Sequence, residues 1–265
     1  MDLSGSTPSV PSVAQRPAPQ VSPLPFWKRS LDLVLCLLAL PFLMAGTLVM
    51  AIVTRCVSPG PIFYRQVRIG YMGRPFKIYK FRTMTVSADT KVHQDYCRKL
   101  IDTNAPMAKL DVRGDARLIP FGWFLRASGL DELPQIINVL RGEMSIVGPR
   151  PCLPVEFEHF LPWQRGRCQA IPGLTGLWQV SGKNRTTFEE MIRLDLTYAQ
   201  DMSLRQDLRI ILLTPRTLVQ QIYETRVGRR SPFTPKRPHS AAALPAAPLP
   251  VLRGPVRSRS PFGTI

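Results

Sequence analysis

The chain has 265 residues, 45% of them hydrophobic, and carries 35 Lys and Arg against 18 Asp and Glu, a formal net charge of +17. That apolar content excludes a wholly disordered chain, and the length suits one large or two small domains. The charge points to an anionic partner, whether nucleic acid, an acidic membrane surface or a phosphorylated substrate, without choosing among them.

Residues 1–25 are rich in Pro, Ser and Ala and read as a disordered leader, lacking the ordered basic, apolar and cleavage regions of a signal peptide. Residues 26–57 follow as a membrane helix. From Leu33 to Thr54 there are 22 consecutive residues without a charge, close to the roughly 20 needed to cross a bilayer. A buried core helix is the competing reading, but the segment has no polar face to show to water. Its flanks conflict with a simple span. Lys28 and Arg29 precede it and Arg55, Arg65, Arg68 and Arg74 follow it, so the positive-inside bias draws both ends to one side. Pro41, near the middle, can bend or break a helix, so a re-entrant hairpin competes with a plain span, with Trp27 as an interfacial anchor.

Residues 58–225 read as the folded soluble part of the chain. The stretch IFYRQVRIGYMGRPFKIYKFRTM alternates β-branched and aromatic residues around Gly70 and Gly73, which predicts two short strands joined by a turn. Val86 to Leu110 reads as a helix and a loop. Leu133, Ile136, Ile137 and Leu140 follow the i, i+3, i+4, i+7 pattern of a buried helical face. Asp131 then suits the N-cap, with Glu132 and Pro134 in the first turn and Gly142 at the end. Further helices are expected from about Thr187 to Asp201 and from about Leu208 to Tyr223, with an interruption at Pro215. After Thr225 there are eight Lys and Arg and no acid, among Pro, Ser and Ala, so residues 226–265 read as a disordered basic tail.

The five cysteines, Cys36, Cys56, Cys97, Cys152 and Cys168, lack the paired spacing of a zinc or redox motif and read as free thiols in a reducing compartment. Cys152, His159 and Cys168 come nearest to a ligand cluster, and their separations fit no common zinc pattern.

For Asp131 and Glu132 the bland reading is a capped helix start. Against it stand Arg113, Arg117, Arg126, Arg141 and Arg150, which surround the two acids in sequence. Arginines and helix N-termini suit phosphate, and an ionised carboxylate beside them can hold a divalent cation or attack phosphorus. Ser181 to Asn184, SGKN, is not a Walker loop, because its glycine spacing is wrong and no Ser or Thr follows the lysine. With three histidines and no GxSxG elbow, carboxylate and metal chemistry is the enzymatic reading that remains.

KFRTM (Lys80 to Met84), LRASGLDELPQ (Leu125 to Gln135), NVLRGEMSIVGPRP (Asn138 to Pro151) and PGLTGLWQVSGKN (Pro172 to Asn184) stand in the order seen in the bacterial sugar transferases. By these motifs the chain resembles that family, the monotopic phosphoglycosyl transferases, over about Phe26 to Tyr223. The resemblance implies an α+β, mainly helical fold with an N-terminal re-entrant membrane helix broken near Pro41, attached to a cytoplasmic catalytic domain at the bacterial inner membrane. It implies a reaction in which Asp131 attacks the sugar-linked phosphate of a UDP-sugar, releases UMP and passes the phosphosugar to undecaprenyl phosphate. Glu132 matches the glutamate that helps hold Mg²⁺, and Lys80, Arg126 and Arg150 match basic positions that grip phosphate or nucleotide. Asp195, in an LDxxY-like stretch, is a weaker candidate that equally suits a surface helix.

The sequence departs from the pattern at Gly129 (commonly Ser), Lys183 (commonly Arg), Glu143 (commonly Asp) and Met202 (commonly Trp), and Leu40 precedes Pro41 where some members have Ser. The short form and the GLWQVSGKN stretch look like the branch that uses galactose or glucose for exopolysaccharide. Nucleic acid is not an expected partner on this reading. Two rivals remain: a membrane-tethered basic protein that binds nucleic acid or anionic lipid through its tail, and a metal-dependent phosphatase with water as acceptor.

Overall fold

The computed structural model describes residues 24–85, 91–104, 117–183 and 186–230. Nearly all of the expected leader and most of the expected tail lie outside the described residues, as does Arg113. The described part is mainly helical with few strands.

Helix α1 (Phe26–Val57) is 32 residues long and the one described helix long and apolar enough to cross a membrane. It runs continuously through Pro41. One proline removes one i to i−4 hydrogen bond, and the turns on either side carry the helix on. Its buried positions are Lys28, Asp32, Cys36, Leu43, Met50 and Thr54, spaced by four or seven residues, so one side of the helix is covered along nearly its whole length. The other side leaves Val34, Leu37, Leu38, Phe42, Met44, Leu48, Val49 and Ile52 exposed.

The covered side packs on the rest of the protein. Strands β1 (Phe63–Ile69) and β2 (Pro75–Phe81) form the expected antiparallel hairpin, in register from Phe63 opposite Phe81 to Ile69 opposite Pro75. Cys36, Leu43 and Met50 of α1 share one apolar core with Ile78 and Phe81 of β2 and with Ile119, Ile136, Val139 and Met144. At the N-terminal end of α1 the contact is ionic. The Lys28 ammonium, 1% exposed, donates to Asp207 Oδ2 at 2.6 Å, to the Tyr198 hydroxyl at 2.9 Å and to the Val147 carbonyl at 2.9 Å. Asp32 Oδ1 accepts from Ser145 Oγ and from Ile146 N. Arg29 donates to the carbonyls of Val139 and Leu140, which end a helix and lack intrahelical partners. Lys28 and Arg29 are therefore docking groups rather than a free basic flank, and Arg68 on the far side is buried as well. A charge count along the sequence does not separate an internal ion pair from a charge facing lipid phosphates.

Helix α2 (Lys91–Thr103) lies within the segment read as helix and loop. Helix α3 (Gly122–Ser128) leads through Gly129, at φ +74°, into a 3₁₀ helix (Leu130–Gln135), and α4 (Ile136–Leu140) continues from it. Asp131 is thus inside the 3₁₀ turn, and the expected N-cap role falls to Gly129, whose carbonyl accepts from Glu132 N at 3.0 Å. Strand β3 (Ser145–Val147) pairs in parallel with β4 (Gly173–Thr175). The pairing is so close that a Cβ on Gly173 would stand 2.1 Å from Gly148 N, which explains the glycines of the GPRP and PGLTG motifs.

Helices α5 (Pro154–Glu158), α6 (Leu177–Val180), α7 (Phe188–Asp201) and α8 (Leu204–Arg230) complete the described residues. The expected start of α7 is present as a capping box, with Glu190 N donating to Thr187 Oγ1 and Thr187 N to Glu190 Oε2. Helix α8 starts four residues before the expected Leu208, passes through Pro215 and reaches Arg230, inside the region read as tail.

Removing one partner of a buried ion pair strands the other charge, so Lys28→Met is expected to destabilise the fold by about 3–5 kcal/mol. Urea unfolding of the detergent-solubilised protein checks this, and Lys28→Met combined with Asp207→Leu is expected to recover much of the loss.

Candidate active site

Four segments bring the candidate residues together. β2 carries Lys80, and the 3₁₀ turn packed against it carries Asp131 and Glu132. Asn138 of α4, fully buried, fixes this packing: it accepts from Tyr79 N at 3.1 Å and donates to the Lys77 carbonyl at 2.8 Å and to Glu143 Oε2 at 2.7 Å. The glutamate found where the family commonly has aspartate is thus part of the joint between α4 and β2. The segment after β3 brings Arg150, and the turn that follows α6 brings Lys183.

The Lys80 ammonium lies 2.6 Å from Glu132 Oε1. Glu132 is 38% exposed and Asp131 is 7% exposed. Burial acts to raise the pKa of Glu132, but Lys80, Lys183 and Arg150 outweigh it and hold it down at about 2. Lys183 shows the converse: burial lowers its pKa, assisted by Arg150 and Lys80, while Glu132 and Asp131 pull it back up. Two carboxylates and three cations therefore share one field. Lys183 is a functional candidate that the motif reading of SGKN misses: the stretch fails as a Walker loop, yet its lysine reaches the acid pair's field.

Arg150 is held from behind. Its guanidinium lies 3.9 Å from Glu156 Oε1, and its carbonyl accepts from Arg167 Nη2 at 2.9 Å. Glu156 also accepts from Leu153 N at 2.6 Å; burial raises its pKa, and Arg150 and Arg68 overcome that to keep it ionised. Arg167 is paired with Asp195, and both are buried. Asp195 is thus an internal anchor rather than a surface helix residue. Arg68 donates to the Pro151 carbonyl at 3.3 Å and to Gln66 Oε1 at 2.8 Å. Arg126 lies in the last turn of α3, five residues before Asp131, and its carbonyl accepts from Gln221 of α8.

Among the described residues no three His, Cys, Asp or Glu side chains gather as a metal-ligand set. The adjacent carboxylates still suit Mg²⁺, which keeps several waters and takes one or two carboxylates together with substrate phosphates. Glu132, ionised far below neutral pH, has the charge state that such a ligand requires.

The chain matches the model of the bacterial sugar transferases over residues 24–221. It belongs to the bacterial sugar transferase family. It is 37% identical over 227 residues to a UDP-glucose:undecaprenyl-phosphate glucose-1-phosphate transferase of Caulobacter vibrioides, covering 83% of this chain and 79% of that protein. It is 37% identical over 187 residues to the exopolysaccharide production protein ExoY of Sinorhizobium fredii, covering 71% of this chain and 83% of that protein. The same identity, over 194 residues and 72% of this chain, holds for the galactosyl transferase CpsE of Streptococcus agalactiae, where the match spans only 42% of the relative's length.

An unpaired Asp195 carboxylate would be left in apolar surroundings by Arg167→Met, with an expected loss of about 3–5 kcal/mol. Chemical unfolding is the check, and the double variant Arg167→Met with Asp195→Leu is expected to be the more stable of the two.

Proposed function

We propose that this transferase moves a sugar-1-phosphate, with galactose or glucose as the sugar, from a UDP-sugar to undecaprenyl phosphate, as the first step of exopolysaccharide repeat-unit assembly. The observation that carries the reading is the buried Asp131 beside an ionised Glu132 in the shared field of Lys80, Lys183 and Arg150. The relatives named for galactose and for glucose support the hexose. The rival in which the acid pair merely caps a helix loses its basis, because Gly129 holds the N-cap position.

In the first half-reaction a carboxylate oxygen of Asp131 attacks the phosphorus that bears the sugar. The bond to the UMP oxygen breaks, UMP leaves with the bonding electrons, and an acyl phosphate remains on Asp131. In the second, a phosphate oxygen of the lipid attacks that phosphorus, the bond to Asp131 breaks, and the carboxylate is regenerated. Lys80, Lys183 and Arg150 offset the negative charge of the diphosphate as it gathers on the leaving group, and Arg126 is assigned to the same phosphates. Glu132 would hold Mg²⁺, which would supply Lewis-acid neutralisation of the diphosphate.

The packing of α1 supports a monotopic, re-entrant placement over a plain span. Its covered stripe extends from Lys28 to Thr54 on one catalytic body, which draws both ends of the helix to the same face of a bilayer while the apolar outer side meets lipid. On α8, Leu204, Leu208, Leu212, Val219 and Tyr223 are exposed alongside Arg205, Arg209, Arg216 and Arg226, a composition suited to a membrane surface. On this reading the acid pair lies at the cytoplasmic face of the inner membrane, where a soluble nucleotide-sugar and a lipid phosphate can meet.

Asp131→Asn is expected to abolish UMP release from UDP-galactose or UDP-glucose with Mg²⁺ and undecaprenyl phosphate, a fall of at least about 1,000-fold for loss of a covalent nucleophile. UMP release by the variant at the wild-type rate would rule out the aspartyl intermediate. The pH profile gives a second test. Because the pKa of Lys183 is lowered, its proton is lost as pH rises before the ordinary lysine range, and activity is expected to fall on that alkaline limb. Lys183→Arg, which stays charged, is expected to keep activity to higher pH. Glu132 remains ionised down to about pH 2 and contributes no limb near neutrality.

A further inference from the structure

Lys80 has an aromatic neighbour that the chemistry above does not use. Side chains alternate across a strand, and the register sets Tyr64 of β1 directly opposite Lys80 of β2, with Gln66 opposite Ile78 and Arg68 opposite Phe76 on the same face. Side chains opposed in this way have Cβ atoms about 5 Å apart. Asn138 bonds the backbone of Lys77 and Tyr79 on the edge of β2 that faces away from β1, and the turn with the acid pair leads into α4 on that side. Lys80, whose ammonium reaches Glu132 at 2.6 Å, therefore stands between the acid pair and Tyr64. The Tyr64 side chain is not spent on packing. It is 40% exposed and its hydroxyl bonds to no described residue. The strand is anchored instead by Phe63, which faces the other way, stacks on Phe81 with ring centroids 5.8 Å apart and packs in the core shared with α1.

The two ends of this face of the hairpin differ. At the Arg68 end it meets the segment after β3, where Arg68 donates to the Pro151 carbonyl and the buried charges behind Arg150 close the site. At the Tyr64 end the hairpin rests on the apolar helix. Phe63 and Phe81 pack with Met50 and Val53 of α1, and a Cβ on Gly46 of α1 would stand 3.4 Å from the Phe81 ring. Arg82, next after Phe81, donates through Nε to the Pro61 carbonyl at 2.8 Å, in the link between α1 and β1. With α1 in lipid, a molecule that comes out of the bilayer to reach Glu132 meets Tyr64 first, whereas a nucleotide arriving from water does not have to pass it.

We propose that Tyr64 binds the acceptor: its ring packs on the first isoprenoid units of the lipid while Lys80, beside it, takes the lipid phosphate. The inference rests on the transfer reaction proposed above and divides its site into an acceptor end at Tyr64 and Lys80 and a closed, arginine-rich end at Arg150. The chemistry of the two groups matches this division. A half-exposed aromatic ring offers a diphosphate no hydrogen-bond donor except its hydroxyl, but its faces are apolar surface that a branched hydrocarbon can cover, and a tyrosine suits a boundary where one end is apolar and the other wet. An ammonium next to that ring is placed where the hydrocarbon ends and the phosphate begins.

The two half-reactions separate the outcomes, using the full chain in detergent. Without lipid, Tyr64→Ala is expected to release its single UMP from UDP-galactose or UDP-glucose within about twofold of the wild-type rate. With undecaprenyl phosphate present, the KM for that lipid is expected to rise about tenfold, for loss of one ring-sized apolar contact, while the KM for the UDP-sugar stays the same. Binding of radiolabelled undecaprenyl phosphate, measured with no donor present, is expected to weaken by the same factor. Tyr64→Phe, which keeps the ring, is expected to match the wild type in all three. Unchanged lipid KM and lipid binding in Tyr64→Ala would overturn the proposal. So would a raised KM for the UDP-sugar, which would make Tyr64 a donor-side ring, or a Tyr64→Phe as impaired as Tyr64→Ala. Lipid binding is read without turnover, so a chain inactive towards every donor would sink the transfer reaction while the binding data still decide the place of Tyr64.

Discussion

The ammonium of Lys28 is the constraint on which the arrangement turns. Taking a charge out of water costs several kcal/mol, and here the cost is offset by a carboxylate, a hydroxyl and a backbone carbonyl contributed by α8, α7 and β3. One side chain near the start of α1 thus ties together elements that lie more than a hundred residues away. Asp32 and Arg29 extend the same junction to Ser145, Ile146 and the end of α4. The 3₁₀ turn with the acid pair runs directly into α4, so the position of the Asp131 and Glu132 carboxylates follows from how an apolar helix is docked.

A second constraint governs the basic side of the site. Arg150 is one member of a graded network that passes from Glu132 at the rim, through Arg150 and Glu156, to the buried Arg167 and Asp195. Exposure falls along this line as the charges become more strictly paired. The rim groups stay hydrated enough to exchange partners with the diphosphate of the proposed donor; the buried ones have nowhere else to go. Such a gradient lets a site rich in arginine stay rigid without saturating the groups that must bind.

Much of this was legible in the sequence, for identifiable reasons. The hairpin was announced by β-branched alternation around Gly70 and Gly73, and α7 by the Thr187 and Glu190 pair. These are local signals, and local physics decides them. The N-cap expected at Asp131 failed because Gly129, in a left-handed conformation, and Pro134 together favour a tighter turn. The basic flanks of α1 did not reveal that Lys28 is internal, because its burial depends on Asp207, a partner that no local window contains. Pro215 was read as an interruption, yet α8 runs through it. The candidate site was legible as motifs in order, while the convergence of Lys80, Glu132, Lys183 and Arg150 depends on parallel pairing of β3 with β4, a non-local event.

The sharing of one core between α1 and the catalytic domain also bears on the order of synthesis. Cys36, Leu43 and Met50 leave the ribosome before the residues they pack against, from Ile78 to Met144. On the proposed membrane placement, α1 meets lipid while its inner face still lacks a partner, and it then serves as the surface on which the later chain condenses. Lipid acts for that interval as a stand-in for protein, which makes the membrane part of the folding pathway as well as the place of work.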